Sequence, residues 1–269
     1  MKKRIFLPAL LLAALLCGCA GNANTKPAQG GIVCTTQQLA GLTERLLAGT
    51  AAEQTAPVES VVSEPVSCLH DYTLSVRQMQ LLEGAAVVIE SGLGLEDFMD
   101  DALRAASCPR ITASAGIAAL PSDEDPDEPD PHIWLAPANC AQMARNIAEG
   151  LAEVYPDDAA RLRENAEDYA REMDELLVYG EQMLANLSCR KLVTFHDGFS
   201  YFADAFDLEI AAAMEVEAGS EPSAKELEDV VAVVRENAIP AVFSETNGTQ
   251  DAAQLVARET GAGVFVLDM

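Results

Sequence analysis

The chain has 269 residues and is strongly acidic, with 43 Asp and Glu against 17 Lys and Arg and a formal net charge of −26. Such a charge repels nucleic acid and anionic lipid headgroups, so both are discounted as partners, and it favours cations near the surface. The length suffices for two small domains or one large one, each with its own core.

The N-terminus opens with Lys2, Lys3 and Arg4, followed by an apolar run over residues 5–16 broken only by Pro8. The run is too short to span a bilayer and has the form of a signal-peptide core. It ends in Leu16-Cys17-Gly18-Cys19, which resembles a bacterial lipobox with cleavage after Gly18 and a lipid on Cys19. Residues 1–19 are therefore expected to be a lipoprotein signal, and residues 20–31, rich in Gly, Asn, Ala and Gln, a flexible tether. The expected location is extracytoplasmic, anchored to the bacterial membrane.

Beyond the tether, short apolar runs alternate with amphipathic stretches. Strands are expected at 32–34, 58–62, 86–90, 192–195, 241–244 and 264–267. Helices are expected at 37–48, 75–83, 138–154, 223–237 and 251–260. Alternation of this kind predicts α/β units, and the near-continuous apolar strands predict parallel sheets covered on both faces. Between them, Pro156 and Asp157 open a helical pattern reaching Leu187. Apolar or small residues recur there at 162, 166, 169, 173, 176, 180, 183 and 187, alternating steps of three and four. The expected architecture is an N-terminal α/β lobe over 32–155, a long rigid helix over 156–187 and a C-terminal α/β lobe over 188–269. The two lobes are Rossmann-like, with the functional site in the cleft between them.

Three histidines occur, nearly evenly spaced: His70 in C-L-H-D-Y-T-L, His132 in D-P-H-I-W-L and His196 in T-F-H-D-G-F-S-Y-F. Three imidazoles and one carboxylate form a tetrahedral zinc site. Ligands in parallel α/β sheets gather at the carboxyl ends of strands. The fourth ligand is therefore expected from Asp268 or Glu245, each following or ending an apolar run. Asp197, Asp71 and Glu217 are weaker candidates, because a carboxylate beside a ligating histidine more often orients a ring. Residues 122–130 read S-D-E-D-P-D-E-P-D, an acidic Pro-broken loop that could gather cations beside His132. After removal of the signal, Cys34, Cys68, Cys108, Cys140 and Cys189 remain, an odd number in a compartment that permits disulfides. Cys68 reads as a structural thiol or disulfide partner rather than a ligand. No metalloprotease helix motif, nucleophile elbow or phosphate-cradling loop occurs, and four protein ligands would close a zinc site, so binding without catalysis is expected.

These motifs, together with E-S-G-L-G-L-E-D-F, G-S-E-P-S-A-K-E-L, A-V-F-S-E-T-N-G-T and E-T-G-A-G-V-F-V-L-D, resemble the zinc/manganese solute-binding lipoproteins of bacterial metal-uptake ABC transporters. The resemblance runs in order along nearly all of the mature chain. It implies two lobes, one linking helix and an interlobe metal held by His70, His132, His196 and Asp268. It further implies a monomer that delivers Zn2+ to a membrane permease, with Mn2+ possible. A histidine at the third position, here His196, leans towards zinc in that family, where glutamate leans towards manganese. Two departures stand out. The loop before D-P-H is acidic where the family often has histidines. The family usually continues through a further helix past the position of Met269, so a truncated C-terminal lobe is expected. Rival readings are a manganese or iron carrier on the same scaffold, a zinc hydrolase and a surface adhesin stabilised by metal.

Overall fold

A computed structural model describes residues 30–63, 72–122, 126–214, 222–246 and 250–267. The first lobe runs β1 (Ile32–Thr36), α1 (Gln37–Leu47), α2 (Ala52–Thr55), β2 (Val58–Val62), α3 (Val76–Glu83), β3 (Val87–Glu90), α4 (Asp100–Ala105), β4 (Arg110–Thr112) and α5 (Pro137–Val154). A long α6 (Ala159–Leu184) follows. The second lobe runs β5 (Lys191–Thr194), α7 (Ser200–Ala205), β6 (Glu209–Ala213), α8 (Ala224–Glu236), β7 (Ala241–Glu245), α9 (Asp251–Thr260) and β8 (Gly263–Leu267).

Each lobe holds a four-stranded parallel sheet, ordered β2-β1-β3-β4 in the first and β6-β5-β7-β8 in the second. The strand order is the same in both, so each sheet has a switch point where successive connections leave to opposite sides, between β1 and β3 or between β5 and β7. Crevices form at the carboxyl ends of strands at such points. The two parallel α/β lobes and the long connecting helix agree with the expected fold.

The strand interiors are packed as expected for covered sheets. Ile32, Cys34, Val87 and Ile89 join Leu46, Ile133, Ile147, Leu151 and Leu162 in one core, Val33, Val61 and Val88 join Leu82, Met99 and Leu103 in a second, and Val193, Val242, Val234 and Val256 anchor a third in the second lobe. Each fully buried aliphatic side chain contributes about 1.5–3 kcal/mol of hydrophobic stabilisation before entropy is counted. Helix starts are chemically explicit. Ser75 and Ser223 form reciprocal capping boxes with Gln78 and Glu226, satisfying amides that the first turn leaves unpaired.

The structure adds short elements that the hydrophobic pattern does not mark, among them α2, α4, β4, β6 and α7. β4 is three residues with Ile111 as its one buried side chain, β6 is the Ala-rich Glu209–Ala213, and α7 is only six residues long. The linking helix also differs in detail. Pro156–Asp158 form a 3-10 turn and the α-helix ends at Leu184. Asp158 does not cap α6; its carboxylate instead accepts from the Ala51 and Ala52 amides at 2.8 and 2.9 Å, tying the helix start to α2. The apolar stripe is buried only in its first half, at Leu162, Ala166 and Ala170, where α6 packs on α5 and α1. Further on, Leu176 and Met183 are 47% and 63% exposed. In that second half Gly180 lets the strut meet the other lobe. A Cβ there would lie 2.3 Å from Phe206 Cε1, so the aromatic ring occupies the space a side chain would need.

At the switch point of the first sheet, the buried Glu96 carboxylate accepts from Thr35 Oγ1 (2.7 Å) and from the Ser91 and Gly92 amides (2.7 and 2.9 Å). Burial pushes its pKa up and these bonds oppose the shift. The turn it braces, Gly92-Leu93-Gly94, has all three residues at positive φ. Cys34, Cys108, Cys140 and Cys189 are free thiols, and burial pushes the Cys34 thiol up to about 12. Among the described residues no helix is long and apolar enough to cross a membrane.

Candidate metal centre

His132 sits at the start of the 3-10 turn Ile133–Leu135, which leads into α5, and the fully buried Ile133 beside it anchors that turn in the first core. His196 follows β5 by two residues and precedes α7, with Phe195 and Phe199 buried on either side. The two rings come from different lobes and meet in the cleft. Their Nε2 atoms are 3.2 Å apart and the ring planes are perpendicular. Two nitrogens on one zinc at bond lengths of about 2.0–2.1 Å and a tetrahedral angle would be roughly 3.3 Å apart. The pair is spaced for a shared ion.

The tautomer of His132 is set from behind. Asp130, 3% exposed, uses Oδ1 to accept both the His132 backbone N–H at 2.9 Å and Nδ1–H at 2.8 Å. With the proton on Nδ1, the Nε2 lone pair faces His196. A carboxylate behind a ligating imidazole also raises the basicity of the ring. The backbone of Asp130 is held in turn: its N–H donates to the Leu120 carbonyl and its C=O accepts from the Tyr201 hydroxyl, both at 2.8 Å. Gly198 allows the imidazoles to close up, since a Cβ there would lie 2.9 Å from His196 Cδ2 and 3.0 Å from His132 Cδ2.

Of the residues expected at the site, the structure brings His132 and His196 together. His70, Asp71, Glu217, Asp268, Cys68 and Cys19 lie outside the described residues. Among the described residues, the group able to hold a metal is His132, His196 and Asp197, whose ligand atoms all lie within 4.8 Å of one another. Asp197, placed behind Glu245 on sequence grounds, is thus the carboxylate nearer the imidazoles.

Glu245 ends β7 next to β5 and lies outside that group, yet it is buried and its Oε1 has no hydrogen-bond partner among the described residues. Burial pushes its carboxyl up to about 7, and the charge of His132 opposes the shift. A folded-state value above the unfolded 4.5 means that the folded protein binds this proton more tightly. The stability it contributes is complete below the unfolded value and is lost as pH rises through about 7. Metal-free protein is therefore expected to lose thermal stability between about pH 5 and 7. Glu245→Gln should flatten that slope, as thermal midpoints across the pH series will show.

Asp130 is the residue that sequence reasoning missed. It stood at the end of the acidic stretch 122–130 and was read with it as a cation-gathering loop. The base of that loop is pinched: Pro121 and Pro129 form an antiparallel bridge and the Ser122 amide donates to the Glu128 carbonyl at 2.9 Å. The pinch turns Asp130 inward while Asp127 and Glu128 stay exposed. The signal available in sequence was the D-x-H spacing, in which one carboxylate reaches both the amide and the ring of the histidine two residues on.

Comparison with known proteins places this geometry in a family context. The profile described as "ZnuA: Zinc-uptake complex component A periplasmic" matches residues 32–269. The chain is 30% identical over 230 residues to the iron-binding protein YfeA of Yersinia pestis, covering 82% of this chain and 74% of that protein. It is 27% identical over 270 residues to the manganese-binding lipoprotein MntA of Halalkalibacterium halodurans, covering 98% and 88% respectively. A crystal structure of ZnuA superposes with a TM-score of 0.78 at 30% identity, covering 89% of this chain and 91% of that one.

Proposed function

The chain belongs to the family of periplasmic zinc-uptake complex component A proteins, and on that premise we propose that it captures Zn2+ outside the cytoplasm and hands it to an ABC-transporter permease. It is a metal-uptake solute-binding protein of that family, whose relatives carry names for zinc, manganese or iron. The ion is cargo, and we assign the chain no catalytic step. The ligands in this reading are His70, His132, His196 and Asp268, with Asp197 a further carboxylate at the same cleft and Glu245 the alternative to Asp268. Cys19 carries the lipid that keeps the protein at the membrane, and the protein acts as a monomer. The observation that carries the reading is the pair of opposed Nε2 atoms at 3.2 Å, one from each lobe, with the Nδ1 of His132 committed to Asp130.

The choice of zinc rests on the donors. Imidazole suits a borderline cation such as zinc, whereas manganese prefers carboxylate, carbonyl and water oxygens. Affinity alone is a poor arbiter, because zinc outcompetes manganese at most nitrogen sites in vitro. The test is the metal content of the protein recovered from its own cells grown with both metals present. Zinc near one equivalent is expected. Manganese or iron in excess of zinc would replace this reading with that of a manganese or iron carrier on the same scaffold.

A further inference from the structure

The hydroxyl of Tyr201 stands in an unusual place. Tyr201 lies on the first turn of α7, in the second lobe, yet the residue is 4% exposed and belongs to the hydrophobic core of the first. Ala205, one turn later on the same face, packs against that core as well. The Tyr201 hydroxyl accepts from the Leu120 amide at 2.9 Å and donates to the Asp130 carbonyl at 2.8 Å. Leu120 and Asp130 already share one direct rung, Asp130 N–H to Leu120 C=O, at the base of the 122–130 loop. The second rung of that antiparallel pair is made through the tyrosine oxygen. A side chain from one lobe is thereby built into the backbone ladder of the other.

The far end of α7 is fastened to the strut. The Phe206 ring fills the notch at Gly180. Arg190 donates from Nη1 to the Leu184 carbonyl at the end of α6 (3.1 Å), from Nη2 to the Phe206 carbonyl (2.6 Å) and from Nε to the Asp207 carbonyl (2.7 Å). So α7 spans from the strut to the metal loop, and it starts four residues after His196.

We propose that Tyr201 is a positioning residue for metal capture, its hydroxyl bolting the second lobe to the Leu120–Asp130 pair so that His132 and His196 stand at ligating distance before the ion arrives. This rests on the metal reading given above. The connection to the ligand is short: the Asp130 carbonyl takes the tyrosine proton, and the Asp130 carboxylate holds the His132 ring. Without the hydroxyl, the Leu120 amide and the Asp130 carbonyl each lose a buried partner, and the lobes gain freedom to shift about α6. A ligand's apparent affinity falls in proportion to the fraction of protein in the aligned arrangement.

The experiment uses Tyr201→Phe, which keeps the ring in the core and removes only the oxygen. Zinc affinity is measured by chelator competition for the parent, Tyr201→Phe, His132→Ala and the double variant. The dissociation constant is expected to rise on the order of tenfold in Tyr201→Phe, from two lost hydrogen bonds. In the His132→Ala background the same change should cost less, since one of the two rings that the bolt aligns is already gone. Gly180→Ala, which pushes on Phe206 at the other end of α7, should weaken binding in the same direction. A lowered thermal midpoint of metal-free Tyr201→Phe with an unchanged dissociation constant, or an equal loss in the His132→Ala background, would make the hydroxyl merely structural and overturn the proposal. A parent that fails to bind zinc tightly overturns the metal reading itself, and the positioning role with it.

Discussion

His132→Ala should lower zinc affinity on the order of a hundredfold or more, the largest effect expected of any single substitution outside the hydrophobic cores. A four-ligand zinc site holds its ion with an apparent 10–16 kcal/mol, so each ligand carries on average about 3 kcal/mol. His132 also stands opposite His196 at 3.2 Å. Its loss leaves the second imidazole without the partner that defines the bite, and removes the ring N–H that Asp130 Oδ1 accepts beside the backbone amide of residue 132. The fold should survive, because the side chain removed lines the cleft while Ile133 remains seated in the core. Chelator competition beside a thermal melt of the metal-free variant separates the two outcomes. A dissociation constant within threefold of the parent, with the melt unchanged, would show that His132 is not a ligand.

Asp130→Asn should cost about 10–100-fold in zinc affinity, although Asp130 faces the ring nitrogen that points away from the shared space. The amide oxygen can still accept from Nδ1–H, so the ring keeps its tautomer. What it loses is the negative charge that makes Nε2 a stronger donor to the cation. The amide nitrogen would stand where Oδ2 is now, buried and with no hydrogen-bond partner. An added unsatisfied donor costs about 1–3 kcal/mol. Asp130→Asn is therefore expected to lower both the thermal midpoint and the affinity, while Asp127→Asn, on the exposed part of the same loop, changes neither. Equal affinities for the two variants would refute the orienting role of Asp130.

The architecture was legible in the sequence where periodicity is long or strands are uniformly apolar. The 32–34, 58–62 and 241–244 runs lie within the strands described, and the helices around them match to within one residue at each end. It was not legible where an element is too short to carry a period. β4 shows only Ile111, and Ala-rich β6 has the composition of a helix. The strut is one long helix, as the periodicity predicts, but a continuous apolar stripe does not say which part of it is buried. Burial depends on what lies opposite: the first half packs on α5 and α1, whereas the second half meets Phe206 at Gly180 and leaves Leu176 and Met183 exposed. At the site, His132 and His196 were legible because a histidine in so histidine-poor a chain is conspicuous. Asp130 and Tyr201 were not. Their roles depend on a backbone ladder between residues 120 and 130 and on a hydroxyl that reaches it from residue 201. The D-x-H spacing signals the contact of Asp130 with His132, but no local pattern of residue types encodes the contacts between residues 120, 130 and 201.

The most direct test of the central claim is X-ray absorption at the zinc edge on the protein loaded with one equivalent of zinc. An interlobe site built on His132 and His196 predicts a first shell of nitrogen and oxygen at about 2.0–2.1 Å, with the outer-shell scattering of at least two imidazole rings, and no sulfur. An all-oxygen shell without imidazole scattering, or a sulfur near 2.3 Å, would place the ion elsewhere in the molecule and contradict the account.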